Sequence, residues 1–178
     1  VDPERPHAVG DAGIAERLRT LRFHGSSDRI RFEYIGRNSR LDEIQAAALR
    51  VMLPSLPEWS AGRRRAAALY GAAGIGDLAV PIAAVPGVDP AWHLFVIRHQ
   101  RADELAAGLA ERGIEARGYY RTPVHRQPAM AEWAPGVELP ATDELARTNL
   151  AIPINPLLSE GDARAVVEAL ADVVDRLD

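Results

Sequence analysis

Gly36-Arg37-Asn38-Ser39-Arg40-Leu41-Asp42-Glu43-Ile44-Gln45-Ala46-Ala47 combines a turn, a helix start and a cluster of polar groups in one short run. Asn38 suits a turn, because its side chain hydrogen-bonds nearby backbone. Ser39 followed by Asp42 and Glu43 reads as a helix start. The hydroxyl can accept from unpaired N–H groups, and the acids sit in the first turn, where the helix dipole favours them. A long helix is expected to follow, with Leu41, Ile44, Ala48, Val51 and Met52 on one face. Pro54 and Pro57 interrupt or kink it, since each lacks an amide donor and clashes with the preceding turn.

Upstream, Ile14, Leu18, Leu21 and Phe23 recur at helical spacing, and the helix ends near Gly25. Residues 26–37 suit a loop or short extended piece, with strand-like alternation at Ile30, Phe32 and Tyr34. Downstream, a helical piece from Trp59 to Ala73 carries Arg63-Arg64-Arg65, a run read as a solvated face with phosphate binding as the alternative. Gly71, Gly74 and Gly76 follow a helix instead of joining a strand to one, which points to a helix terminus and linker and away from a dinucleotide loop. A subdomain boundary is placed there, dividing 1–76 from 77–178.

Beyond the boundary the pattern is one of short alternating elements. Trp92–Arg98 reads as a strand apolar enough for burial on both faces, and Ala102–Arg112 as a helix ended by Gly113. Ile114–Gly118 is a second candidate strand, followed by the irregular segment Tyr119–Trp133. Thr142–Thr148 reads as helix and Leu150–Pro153 as strand. Ser159 and Asp162 cap a last helix with the stripe Ala163, Val166, Val167, Leu170, Val173, Val174 and Leu177. This order predicts a small α/β domain, a sheet covered by helices, preceded by the helical tail of something larger.

The 178 residues are long enough to bury a core, and 47% hydrophobic with 26% charged residues is ordinary globular composition. No apolar run approaches the ~20 residues of a membrane span, so a soluble, cytoplasmic protein without a membrane partner is expected. Val1–Pro6 has no leader pattern, and the missing Met predicts a start further upstream. Cysteine is absent, which removes disulfides, thiolate metal sites and cysteine nucleophiles within these residues. A net charge of −4 argues against nucleic acid as partner. Every basic residue is arginine, most simply a mark of a GC-rich genome.

The opening run resembles the signature of the DegT/DnrJ/EryC1/StrS sugar aminotransferases. Further segments are similar in the same order: Leu21-Arg22-Phe23-His24-Gly25, Trp92-His93-Leu94-Phe95-Val96-Ile97-Arg98, Gly113 to His125, Leu139-Pro140-Ala141-Thr142-Asp143, and Leu150 to Pro156. The resemblance covers nearly the whole chain. It implies the aspartate-aminotransferase-like fold (fold type I) with pyridoxal 5'-phosphate. Residues 1–76 would be the tail of the large cofactor-binding domain, and 77–178 the small C-terminal domain. It also implies transfer of an amino group from glutamate or glutamine to a nucleotide-linked keto-sugar, as in polysaccharide biosynthesis.

The family holds its cofactor through a lysine that this chain lacks. That lysine normally lies shortly before the helix corresponding to Ile14–Phe23, so a chain beginning just past it is expected, with no catalytic residue of its own. Two alternatives stay open: a sugar dehydrase with histidine in the lysine's place, and a noncatalytic binding module of the same fold. By resemblance, Asn38 would donate its amide to the cofactor phosphate of the neighbouring subunit, which implies a homodimer with shared sites; a simple turn is the other reading. Arg40 would pair with an acid or anion at that interface or lie on the surface. The family often has an aromatic residue where Arg37 stands. His93 is either a core histidine or a substrate contact. Tyr119, Tyr120 and His125 lie where hydroxyl and imidazole groups could reach a sugar nucleotide, one tyrosine in the site and one in packing. His24 could shape the cofactor pocket or simply end a helix.

Overall fold

The computed structural model describes Asp11–Leu177; Val1–Gly10, including the stretch read as leaderless, and Asp178 lie outside the described residues. The chain forms two compact units, Val1–Pro54 and Ser55–Asp178.

In the first unit α1 (Ala12–Leu21) is capped by Asp11, whose Oδ1 accepts from the N–H groups of Gly13 at 2.8 Å and Ile14 at 3.0 Å. The chain then doubles back. The N–H of Arg37 donates to the Leu21 carbonyl at 2.9 Å, that of His24 to Arg37 at 3.0 Å and that of Ser39 to Arg22 at 3.0 Å, with Phe23 and Asn38 paired antiparallel. This crossing explains the glycine that opens the motif. A Cβ at Gly36 would lie 2.1 Å from the Gly25 nitrogen and 2.5 Å from the Leu21 oxygen, so no side chain fits there.

The strand suggested by Ile30, Phe32 and Tyr34 does not form. Asp28 instead accepts from the N–H groups of Ile30 and Arg31, both at 2.8 Å, and from Ser26 Oγ at 3.2 Å, winding the segment into a side-chain-organised turn. The Arg31 and Ile30 amides hold the Asp28 carboxyl below its usual range. Ser39 does not cap α2 (Glu43–Met52); its N–H is used by Arg22 and Asp42 occupies the cap position. The apolar face of α2 exists but is open: no residue of the helix is buried, and Ile44 and Val51 are 86% and 80% exposed. At Pro54 the chain tightens into a 3-10 turn, Leu53–Ser55, as the prolines require.

The second unit contains α3 (Leu56–Ala72), α4 (Ile75–Leu78), β1 (Val80–Pro81), β2 (Phe95–Arg98), α5 (Ala102–Ala110), α6 (Pro140–Thr148), β3 (Asn149–Ile152) and α7 (Glu160–Leu177). The strands form an antiparallel sheet in the order β1-β2-β3, with Ile97 opposite Leu150 and Phe95 opposite Ile152. The division between units falls at Pro54/Ser55, upstream of Gly76, because α3 packs on α7 and contributes the buried Ala66 and Tyr70.

Ile97, Leu105, Leu109, Leu150 and Leu170 are fully buried around Tyr70. Each such aliphatic side chain contributes about 1.5–3 kcal/mol on burial, against about 0–1 kcal/mol for exposed pairs such as Arg164–Glu160, so apolar packing carries this unit. The Tyr70 ring lies 4.9 Å from that of Phe95, its hydroxyl donates to the Pro153 carbonyl at 2.6 Å, and burial pushes its pKa up to about 12. α7 starts as expected. The N–H of Ser159 donates to Asp162 Oδ2 at 3.0 Å, and the N–H of Asp162 to Ser159 Oγ at 3.1 Å. α5 ends with Ile114 donating to the Leu109 carbonyl and Gly113 to that of Ala110.

Two strand expectations change. β2 begins at Phe95, not Trp92, because Trp92 is left-handed at φ 48°. Only its Phe95/Ile97 face is fully buried, and His93 is exposed. Within Ile114–Gly118 only Arg117 pairs, its N–H donating to the Ala151 carbonyl at 3.0 Å and its carbonyl accepting in return at 2.8 Å.

Gly62 on α3 faces Pro156, where a Cβ would lie 2.4 Å from the carbonyl oxygen. Gly62→Ala should therefore lose about 1–3 kcal/mol by overpacking, although alanine is the better helix former by about 1 kcal/mol. Urea unfolding decides the matter, and a raised midpoint would refute the close-contact account.

Candidate functional site

The first unit presents an anion-receptive corner. Asn38 Oδ1 accepts from Arg40 Nε at 2.9 Å, which fixes the amide and leaves its NH2 group as the outward donor. The Arg40 and Arg29 guanidinium groups stack on the Phe23 ring, 4.8 Å and 4.7 Å from its centroid. Among the described residues neither Arg37 nor Arg40 forms an ion pair. A carboxamide donor beside unneutralised guanidinium groups suits a phosphate. The sequence contains no lysine, so these residues offer donors suited to a phosphate but no side-chain amine that could bind an aldehyde. His24 is exposed and donates its backbone N–H to Arg37, in keeping with a structural turn.

In the second unit His93 and Tyr119 line one groove of about 370 Å³ with Glu115, Arg117 and Asn155. Arg63 supports it from beneath, its guanidinium donating to the carbonyls of Trp92 at 3.1 Å and His93 at 3.3 Å. Arg63 is thus neither a solvated charge nor a phosphate ligand; Arg64 pairs with Asp89 at 3.2 Å. A second groove, of about 420 Å³ and mostly apolar, brings together Tyr119, Tyr120 and His125. Tyr119 borders both grooves and meets Tyr120 edge-on at 5.5 Å, while Tyr120 is 74% exposed.

The His125 side chain in this second groove is largely buried. Its Nε2 lies 3.4 Å from Asp143 Oδ1 but out of line for a hydrogen bond, so this buried nitrogen has no hydrogen-bond partner among the described residues. Asp143 is already engaged by Arg126, at 2.6 Å from Nε and 2.5 Å from a terminal nitrogen. That fork holds the Asp143 carboxyl below its usual range, against a smaller opposing effect of burial.

Residues 8–171 match the model of the DegT/DnrJ/EryC1/StrS aminotransferase family. The chain belongs to that family. It is 44% identical to the dTDP-3-amino-3,4,6-trideoxy-alpha-D-glucose transaminase of Streptomyces venezuelae over 173 residues, 96% of this chain and 45% of that protein. It is 38% identical to the pleiotropic regulatory protein of Geobacillus stearothermophilus over 178 residues, 93% of this chain and 48% of that one. Among solved structures it superposes on S. venezuelae DesV in complex with a ketimine intermediate, with TM-score 0.86 and 41% identity, covering 96% of this chain and 46% of that one. The chain thus spans about half the length of the curated relatives it matches.

For this member of the family, His93 and Tyr119 fall in one groove and Tyr119, Tyr120 and His125 in another. No local spacing announces Asp143, which is gripped by Arg126 17 residues away, and Arg63, read as part of a surface run, instead reaches carbonyls 29 and 30 residues away. Asp143, with its folded pKa depressed, should strengthen the loop tether above the ordinary carboxylate value of about 3.9 and lose that contribution as pH falls through the lower folded value. A carbon-detected NMR titration should give Asp143 a midpoint below about 3.9, moving up in Arg126→Gln. An unshifted midpoint in the unsubstituted protein would remove the fork from the account.

Proposed function

We propose that the protein carrying this chain is a pyridoxal-phosphate aminotransferase that moves an amino group from glutamate or glutamine to a nucleotide-linked keto-sugar. The observation that carries the reading is the family match over residues 8–171, reinforced by the Asn38–Arg40 corner, whose donors suit a phosphate. When bound, pyridoxal phosphate supplies an electron sink for the charge that develops as the amino group is transferred.

The chain's own residues bind and orient. The Asn38 amide donates to the cofactor phosphate in the site of a second copy, so two copies share their sites, and Arg40 keeps that amide turned outward while adding positive charge. Tyr119 and His93, on one groove wall, contact the sugar nucleotide, with Tyr119 as the tyrosine in the site and the exposed Tyr120 packing beside it. His125, in the second groove with Tyr119, adds an imidazole to the substrate-facing lining. None of these groups replaces a Schiff-base lysine. The nucleotide-sugar substrate is supported by the Streptomyces venezuelae relative, a dTDP-amino-sugar transaminase by name.

The test is Asn38→Ala in the protein that carries this chain. Cofactor affinity, read by equilibrium dialysis of pyridoxal phosphate, should fall about tenfold or more, the order expected for a lost charge-assisted hydrogen bond. Unchanged affinity would take the phosphate role from Asn38. Absence of amino transfer from glutamate or glutamine to every dTDP- or UDP-linked keto-sugar offered would overturn the activity itself.

A further inference from the structure

The geometry points to Asn149 as the residue that positions the Tyr119 wall of the sugar-nucleotide groove, a role that rests on the aminotransferase reading above. Asn149 is 3% exposed and lies where α6 passes into β3. Its amide nitrogen donates to the carbonyls of Leu145 at 2.7 Å and Ala146 at 3.1 Å, and its Oδ1 accepts from the Tyr119 N–H at 2.7 Å. Two carbonyls on one side and an N–H on the other leave the amide only one orientation.

The sheet offers Tyr119 no alternative. Pairing with β3 stops at Arg117, so the Tyr119 N–H lies beyond the ladder and the Asn149 side chain stands in for a strand partner. Arg121 secures the other end of the segment, donating to the Ala146 carbonyl at 2.9 Å, to the Asn149 carbonyl at 2.6 Å and to Asp103 at 2.7 Å. Its guanidinium fills the space against Gly118, where a Cβ would lie 2.0 Å from a terminal nitrogen. The backbone from Gly118 to Arg121 is therefore laced to the α6–β3 junction, and the Tyr119 ring inherits its place from that lacing. Asn149 touches neither cofactor nor reacting atoms; it acts through Tyr119.

The two half-reactions separate such a role from general stability. In the protein that carries this chain, loaded with pyridoxal phosphate, the glutamate half-reaction is followed by cofactor absorbance and the keto-sugar half-reaction by its reversal. Affinity for dTDP-glucose is measured by calorimetry without turnover. Asn149→Ala should raise the KM for keto-sugar and weaken dTDP-glucose binding, each about tenfold, with the glutamate half-reaction within about twofold. Ser159→Ala, which removes an α7 cap at a residue that lines neither groove, should lower Tm and leave both half-reactions unchanged. If Asn149→Ala does not fold, Arg121→Gln serves for the same comparison. Equal losses in both half-reactions, or unchanged sugar KM and binding in whichever variant folds, would overturn the positioning role. Failure of the unsubstituted protein in both half-reactions would instead overturn the aminotransferase reading, and dTDP-glucose binding would still judge Asn149.

Discussion

Complete burial of β3 constrains everything around it in the second unit. All four residues from Asn149 to Ile152 are buried, and a buried strand must pair its backbone groups on both sides because water is not there to do so. One side is met by β2. On the other, Arg117 pairs with Ala151 and Arg121 donates to the Asn149 carbonyl, while the Asn149 side chain receives the Tyr119 N–H that lies beyond the ladder. The same requirement that closes the core therefore fixes the loop bordering the groove. Fold and site are coupled through hydrogen-bond satisfaction more than through apolar contact.

The parts of the fold legible in the sequence are those whose signals are local. The stripe from Ala163 to Val173 is buried at helical spacing, and Ser159 with Asp162 forms its reciprocal cap. The helix ended by Gly113 is equally local. Illegible parts depend on partners distant in sequence, or on one side chain overruling a pattern. Asp28, with three donors, overrides the alternation of Ile30, Phe32 and Tyr34, since side-chain-to-backbone bonds compete with strand formation at short range. Left-handed Trp92 delays β2. Arg63 reads as one of three surface arginines, yet it donates to carbonyls 29 and 30 residues away.

The candidate grooves were legible to a similar degree for a related reason. Aromatic and imidazole groups clustered in a loop with prolines mark a concave surface, and Tyr119, Tyr120 and His125 do line one groove. His93 illustrates the limit. Alternation along β2 aligns it with Phe95 and Ile97, but the turn at Trp92 breaks the alternation and His93 is exposed. The motif that opens at Gly36 is also sharpened by geometry. Gly36 permits the backbone crossing with Gly25, and that crossing holds Phe23 opposite Asn38, where the ring also carries two guanidinium groups.

The use of arginine throughout agrees with a GC-rich genome, yet the structure uses properties that lysine lacks. Arg126 grips both oxygens of Asp143, Arg121 spans two carbonyls and a carboxylate, and Arg40 stacks on Phe23 while fixing the Asn38 amide. Each task needs a planar fork with several donors in fixed directions, whereas an ammonium offers a compact point charge on a flexible stem. Geometry thus gives arginine a task at each of these positions that lysine could not perform. A lysine amine can lose its proton and act as a nucleophile, whereas a guanidinium stays charged at any ordinary pH. Arginine can therefore bind an anion and brace a groove but cannot take the part of a nucleophilic amine.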